Sequence, residues 1–353
     1  MVLRMAYIFA LGSALSQLKK LMFDQLQINQ TVIQPAIFCG PMAGISHSAF
    51  RRLVADFGGY GAQFTEMLSG PALLHENLAR SPFTKKRAYE GRVIYQLRLN
   101  GEEHIAAVIE RLKKAEPFAL DINLGCPAPE IIKMGAGVAL FSNAAKLDKV
   151  LKEIRLHWDG NLTIKCRLGT DEKKWRGEFE KRLGIFESHN VNALFVHPRF
   201  FNEKLKRTSR WRYAEWIAQQ TSIPVIVNGD IISRESLERC HEQAPGAKGV
   251  MIARAAVAQP WIFARLSGRE TMDVDFCEVW QRFYRYVCED FIPEKAIGRL
   301  KEFTAYYSRN FFFGHTLSSS VQAAKTLDAL FKAAQLFLSA NPQAVKQISV
   351  SGI

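Results

Sequence analysis

The chain has 353 residues, 48% hydrophobic and 23% charged, with a net charge of +13 and a pI near 9.5. That composition excludes a disordered, collagenous or low-complexity protein, and the length suits one large domain plus a small one. The basic excess favours a polyanionic partner without saying which anion. Six cysteines (Cys39, Cys126, Cys166, Cys240, Cys277, Cys288) show no CxxC pair and no histidine-flanked spacing. This argues against a zinc site and against a disulfide framework. They read as reduced thiols of a cytoplasmic protein, with no metal expected.

Residues 1–30 read as an N-terminal extension. Arg4 followed by the apolar run 5–15 weakly resembles a signal peptide, but the run is too short and interrupted to span a membrane. A helical or disordered extension is expected instead, with Met22 as an alternative start and no membrane association.

Eight short apolar runs follow, at residues 36–39, 63–67, 93–97, 118–123, 162–167, 193–197, 224–228 and 249–253. Between them lie segments such as 104–115 and 144–157, whose apolar residues recur at helical spacing. Strands alternating with helices imply βαβ units and a parallel sheet. Eight such units match a (β/α)₈ TIM barrel over residues 31–268, and no GxGxxG motif supports an open dinucleotide-type sheet. After residue 263 the pattern changes to three amphipathic segments, 275–287, 296–309 and 321–339, with turns expected at Pro293 and across 314–320. Residues 269–353 are therefore expected to form a small helical domain.

In a barrel of this kind chemistry sits at the carboxyl ends of the strands. Those ends are polar here beyond what packing requires. They carry Pro41-Met42-Ala43-Gly44, Thr65-Glu66, Gln96, Asn123 with Cys126, Lys165 with Arg167, His197 with Arg199, Asn228-Gly229-Asp230, and Arg254. Each has an ordinary structural reading taken singly. Cys126 reads as a small buried hydrophobe, Glu66 as a solvated acid, His197 as a satisfied core histidine and Asn228-Gly229-Asp230 as a tight turn. Jointly they converge on one rim, which coincidence explains poorly. The amides, the lysine and the histidine suit a heteroaromatic ring rich in carbonyl and imino groups, and the last two strand ends suit a phosphate. Lys165 equally fits a Schiff-base aldolase.

Together these motifs, with Asp121-Ile122-Asn123-Leu124-Gly125-Cys126-Pro127, Lys165-Cys166-Arg167, Asn228-Gly229-Asp230-Ile231 and Met251-Ile252-Ala253-Arg254, resemble the dihydrouridine synthases. Lys133 and the Gly135-Ala136-Gly137 turn fit the same pattern. The resemblance implies an FMN enzyme that reduces uridine in folded RNA, normally tRNA, with NADPH as electron donor; ribosomal RNA stays open as a substrate. It implies hydride transfer from flavin N5 to C6 of uracil, with Cys126 as the general acid at C5. A cysteine thiol, with an unperturbed pKa near 8.5, keeps a transferable proton around neutrality.

By the same resemblance Gln96, Lys165 and His197 contact the flavin, Asn228, Gly229 and Arg254 help hold its ribityl phosphate, and Pro41, Met42, Ala43, Asp230 and Ala253 also belong to the cofactor site. Asn123 orients the uracil. Glu66, Lys133, Arg167, Arg199, Lys206, Arg210, Arg299 and Lys301 are the expected substrate or RNA contacts, in a protein expected to be monomeric. Lys204, Lys206, Arg207, Arg210 and Arg212, interleaved with Trp211 and Tyr213, form the densest basic-aromatic stretch.

Two departures from the family pattern stand out. His197-Pro198-Arg199-Phe200 replaces His-Gly-Arg-Thr, and Ala253-Arg254-Ala255 replaces Gly-Arg-Gly. Alanine restricts φ where glycine does not, and proline removes a backbone donor. Two other readings accompany the leading one. They are an FMN barrel acting on a free pyrimidine, as in dihydroorotate oxidation, and a flavin-free RNA-binding member.

Overall fold

The computed structural model describes residues 22–102, 104–170, 172–203, 207–269 and 273–350. A β-hairpin, β1 (Leu26–Ile28) and β2 (Thr31–Ile33), comes first, turning through Asn29 at φ 50°. It straddles the expected boundary at residue 30 because Leu26, Ile28 and Ile33 have a core to enter. The Asn29 side chain bonds Asn161 and Asn192, at the amino ends of two barrel strands, so the hairpin closes that end. Residues 1–21, the bulk of the expected extension, lie outside the described residues.

The barrel strands are β3 (Ile37–Cys39), β4 (Ala62–Phe64), β6 (Val93–Arg98), β7 (Ala119–Leu124), β8 (Asn161–Arg167), β9 (Ala193–His197), β10 (Val225–Asn228) and β11 (Gly249–Ile252). All pair in parallel, and β11 with β3 and β4 with β6 close the ring. The run expected over 63–67 is broken: β5 (Leu68–Ser69) pairs separately with the end of β6. Thr65 causes the break. Its hydroxyl accepts from the Gln96 N–H at 3.1 Å and donates to the Glu66 carbonyl at 2.8 Å, turning Glu66 out of the ladder.

Among the described residues beyond 268, four α-helices follow the barrel, Phe276–Asp290, Pro293–Tyr307, Gly314–Ala323 and Leu327–Leu338. Pro293 begins a helix rather than a turn, since its missing N–H costs nothing at the first helical position. The polar stretch 314–320 is also helical, because Leu317 and Val321 reach the core on one face. The break comes instead before Thr326, whose side chain caps the last helix through the Ala329 N–H. Phe283 stacks on Phe303 at 3.9 Å and Trp280 donates to Thr304 at 2.9 Å inside this bundle. The bundle docks on the barrel through Arg52, which pairs with Glu289 at 2.7 Å and lies over Tyr286, and through Asn310, which donates to the Ala258 carbonyl. Among the described residues no helix is long and apolar enough to cross a membrane.

Candidate active site

Side chains alternate along a strand, so Asp121 and Asn123 share one face of β7. The barrel register sets Gln96 of β6 opposite Asp121, and Thr163 and Lys165 of β8 opposite Asp121 and Asn123. This places an acid, two amides, a hydroxyl and a lysine side by side. Asp121 is fully buried and its carboxyl is pushed up to about 7, by burial more than its hydrogen bonds and Lys165 pull it down. Burial likewise pushes Lys165 down to about 8, helped by Arg167. Its ammonium has no hydrogen-bond partner among the described residues, so the site presents a desolvated cation with room for an anionic neighbour.

Cys126 sits on the loop after β7, part-exposed, and within electrostatic reach of Lys165 and Arg167. Its backbone N–H donates to Asn123 Oδ1 at 2.9 Å and its carbonyl accepts from the Val138 N–H. Gly137 is required beneath it: at φ +57° its backbone disfavours a side chain, and a Cβ there would lie 2.7 Å from the Cys126 carbonyl oxygen. The loop carrying the thiol is thereby fixed from both sides.

Beside it opens a cavity of about 220 Å³ lined by Pro41, Met42, Lys165, Arg167, His197, Asn228, Gly229, Asp230, Ala253 and Arg254, with Tyr306 and Val350 from the helical region. Three cations meet a single carboxylate among these linings. That carboxylate, Asp230, is already engaged: it accepts from Arg199 Nη2 at 2.6 and 2.7 Å, from Arg254 Nη2 at 3.3 Å and from the Ser209 N–H at 2.7 Å. Arg199 also lies 3.1 Å from His197 Nε2. A guanidinium only donates, so Nε2 accepts and His197 is the neutral Nδ1–H tautomer. Burial holds its pKa well below the usual imidazole range, reinforced by Arg167, Lys165, Arg199 and Arg254.

The two departures are accommodated. Ala253 has φ −120° and Ala255 lies in the helix Arg254–Ala258, so neither position needs glycine. Pro198 centres a three-residue turn in which the Arg199 N–H closes on the His197 carbonyl at 2.7 Å, aiming Arg199 back at Asp230. The positive φ values fall instead on Gly229, at +114°, where a Cβ would meet Ser209 and His197 within 2.9 Å, and on Asp230, at 60°.

Other expected residues lie elsewhere. Glu66 accepts from the Gly44 N–H at 2.8 Å, with its pKa raised by burial, and so supports the loop that holds Ala43. Arg299 donates to the Gly44 carbonyl, and Lys301 to the Gln322 carbonyl at the end of a helix. Arg210 is paired with Glu203 at 2.6 Å; Trp211 is buried, donating to the Gly229 carbonyl, and Tyr213 stacks on Trp175. The aromatic residues of that basic stretch therefore serve packing. Lys133 is exposed at the end of the helix Pro129–Lys133. Lys204 and Lys206 lie outside the described residues. The sequence reading gave no role to Thr163, Tyr306 or Val350, and none of these is marked by a motif. Among the described residues no group of three or more His, Cys, Asp or Glu is arranged to hold a metal ion.

A closed barrel with a cation-rich mouth and one thiol at its rim defines the class as a TIM-barrel enzyme. Solved structures of the same fold include an old yellow enzyme from Trypanosoma cruzi (TM-score 0.52, 9% identity, covering 77% of this chain and 97% of that one). Morphinone reductase in complex with tetrahydroNAD is similar (TM-score 0.51, 11% identity, 72% and 92%). The dihydrouridine synthase (Dus) family model matches residues 38–337, and the chain belongs to that family of flavin-dependent oxidoreductases. A probable tRNA-dihydrouridine synthase of Helicobacter pylori is 31% identical over 247 residues, 67% of this chain and 71% of the relative. One from Aquifex aeolicus is 28% identical over 297 residues, 82% and 86%. A human relative, tRNA-dihydrouridine(47) synthase [NAD(P)(+)]-like, is 27% identical over 252 residues, 70% of this chain and 37% of the relative.

Proposed function

We propose that this protein is a tRNA-dihydrouridine synthase, a cytoplasmic monomer that uses FMN and NADPH to reduce the C5=C6 bond of uridines in tRNA. The observation that carries the reading is one juxtaposition. A thiol on a loop fixed at both ends, Cys126, lies within electrostatic reach of Lys165, a half-buried lysine with no hydrogen-bond partner among the described residues, at a mouth with excess positive charge. The names of the relatives supply the substrate, and the human relative's name the nicotinamide donor.

The donor set suits FMN. Lys165, Gln96 and His197 would hold the ring system and Asn228, Gly229 and Arg254 the phosphate end, with Pro41, Met42, Ala43, Asp230 and Ala253 completing the site. A reduced flavin held there would supply hydride chemistry. The rest falls to the chain itself. Asn123 orients the uracil, and Cys126 Sγ holds the proton for C5. On releasing that proton the sulfur becomes a thiolate, which solvent then reprotonates. A uridine in folded RNA must leave its stack to reach this depth. Arg167 at the mouth, Arg199 buried behind it on Asp230, Glu66 under the Gly44 loop, and Lys133, Lys206, Arg210, Arg299 and Lys301 are the substrate-side candidates.

The test is the visible spectrum of the purified protein before and after anaerobic NADPH, followed by dihydrouridine formation on unmodified tRNA. A flavin band that bleaches, with product on tRNA, supports the proposal. Activity on free uracil or dihydroorotate with none on tRNA would replace it with the free-pyrimidine reading. Tight tRNA binding by a colourless protein that takes up no FMN would replace it with the flavin-free one.

A further inference from the structure

Four side chains on three neighbouring strands form one hydrogen-bonded line beneath the Cys126 loop. Thr163 Oγ1 donates to Asp121 Oδ1 at 2.7 Å, and Gln96 Nε2 donates to Asp121 Oδ2 at 2.7 Å. Asn123 Nδ2 donates to Gln96 Oε1 at 2.8 Å. Asn123 Oδ1 accepts the backbone N–H groups of Gly125 at 3.1 Å and Cys126 at 2.9 Å.

The direction of this line is not free. Backbone N–H groups only donate, so Asn123 must turn its oxygen to the loop and its NH₂ to Gln96. Gln96 must then turn its oxygen to Asn123 and its NH₂ to Asp121, which must accept. A reversed Gln96 would set two donors or two acceptors face to face in a buried setting, where an unmade hydrogen bond is expensive.

We infer that Asp121 is a positioning residue. By accepting from Gln96 it fixes both amides and anchors the Cys126 N–H. Asn123 Oδ1 already accepts two backbone N–H groups, so toward a ligand Asn123 has only the second hydrogen of Nδ2 to offer, whereas Gln96 Oε1 keeps one lone pair beyond its bond from Asn123. A ring edge that meets Asn123 must therefore present it an acceptor, a carbonyl oxygen or an unprotonated ring nitrogen. The identity of that ring, flavin or uracil, rests on the proposed function; the direction of the line does not.

Substitutions in the full-length holoenzyme separate this role from that of a plain counter-ion to Lys165. Asp121→Val removes the acceptor. The kcat on unmodified tRNA should fall about 10-fold or more with KM little changed, as expected when a buried donor loses its partner. The rate of Cys126 alkylation by iodoacetamide, read at its own peptide by mass spectrometry, should change as well. Asp121→Asn is the conservative rescue, because its oxygen still accepts from Gln96 while its NH₂ turns to the Thr163 hydroxyl. A counter-ion role predicts that Asn is as damaging as Val, and that result would overturn the inference.

Gln96→Glu alone sets acceptor against acceptor, and adding Asp121→Asn restores a donor–acceptor match, so the double variant should recover the wild-type alkylation rate. No recovery would also overturn the inference, and this arm stands if Asp121→Val fails to fold. Failure of the flavin reading would show differently, as a colourless wild-type protein. The alkylation comparison would still be decisive in that protein.

Discussion

Arg299 Nη1 donates to the carbonyl of Gly44 at 3.1 Å, across 255 residues of sequence. The same glycine gives its N–H to Glu66 of the barrel at 2.8 Å. The loop Pro41-Met42-Ala43-Gly44, which forms one side of the candidate cofactor cavity, is thus clasped between the barrel and the helical bundle. Arg299 also lies over the rings of Phe83 and Phe291. The bundle therefore shapes the mouth as well as covering it.

Arg299→Ala should loosen this clasp. One hydrogen bond from a charged donor and two cation–π contacts are lost, about 1–3 kcal/mol in total. Denaturant unfolding would show the stability loss and flavin titration a weaker FMN affinity. RNA affinity measured on flavin-saturated protein isolates any direct phosphate contact, because such a contact alone would lower the salt dependence of binding.

Gly44→Ala attacks the same loop from inside. Gly44 has φ +77°, and a Cβ there would lie 2.2 Å from Glu302 Oε2. The backbone strain is about 1–2 kcal/mol, with displacement of Glu302 added. Flavin affinity should fall more than global stability, since the loop borders the cavity. Equal loss of both in titration and unfolding would instead make Gly44 a purely structural glycine.

The thiol prediction concerns chemistry alone. Cys126→Ala should keep the flavin band and tRNA binding, yet lower dihydrouridine formation by about 10²–10⁴-fold, the usual yield of general acid catalysis. Cys126→Ser should be nearly as poor, because a hydroxyl gives up its proton far less readily than a thiol. An unchanged single-turnover rate in either variant would remove the assignment.

The barrel and its rim were legible because parallel strands buried on both faces run as apolar stretches, and their polar ends then stand out. Cys126, Lys165 and His197 announce themselves in that way. Asp121 and Thr163 do not: their roles depend on which residues the register sets opposite each other, and a single chain does not display register. The hairpin Leu26–Ile33 was missed because three-residue strands leave almost no periodicity. The helix Gly314–Ala323 is not legible because glycine and serine mask a face on which Leu317 and Val321 are the buried large side chains. Trp211 and Tyr213 misled in the other direction, since alternation with arginines mimics an RNA-stacking surface while their rings pack inward.

The last prediction follows from Asp121 and Lys165, the pair under the site. In the flavin-free protein the Asp121 carboxyl is raised from 3.8 to about 7, chiefly by burial. Between those values the folded state binds the extra proton, so stability falls as pH rises through that window. Lys165 acts oppositely and higher: lowered from 10.5 to about 8, it leaves the unfolded chain with more protons in that range, so stability rises with pH there. The pair thus penalises the flavin-free fold most around pH 7 to 8. Urea unfolding of the flavin-free protein should show this as a shallow minimum. Asp121→Asn should flatten its acid limb and Lys165→Met its alkaline limb. Bound flavin should shift the alkaline limb upward, because negative charge on the ring stabilises the protonated lysine. If both variants kept the wild-type profile, the two groups would not carry the burial cost assigned to them.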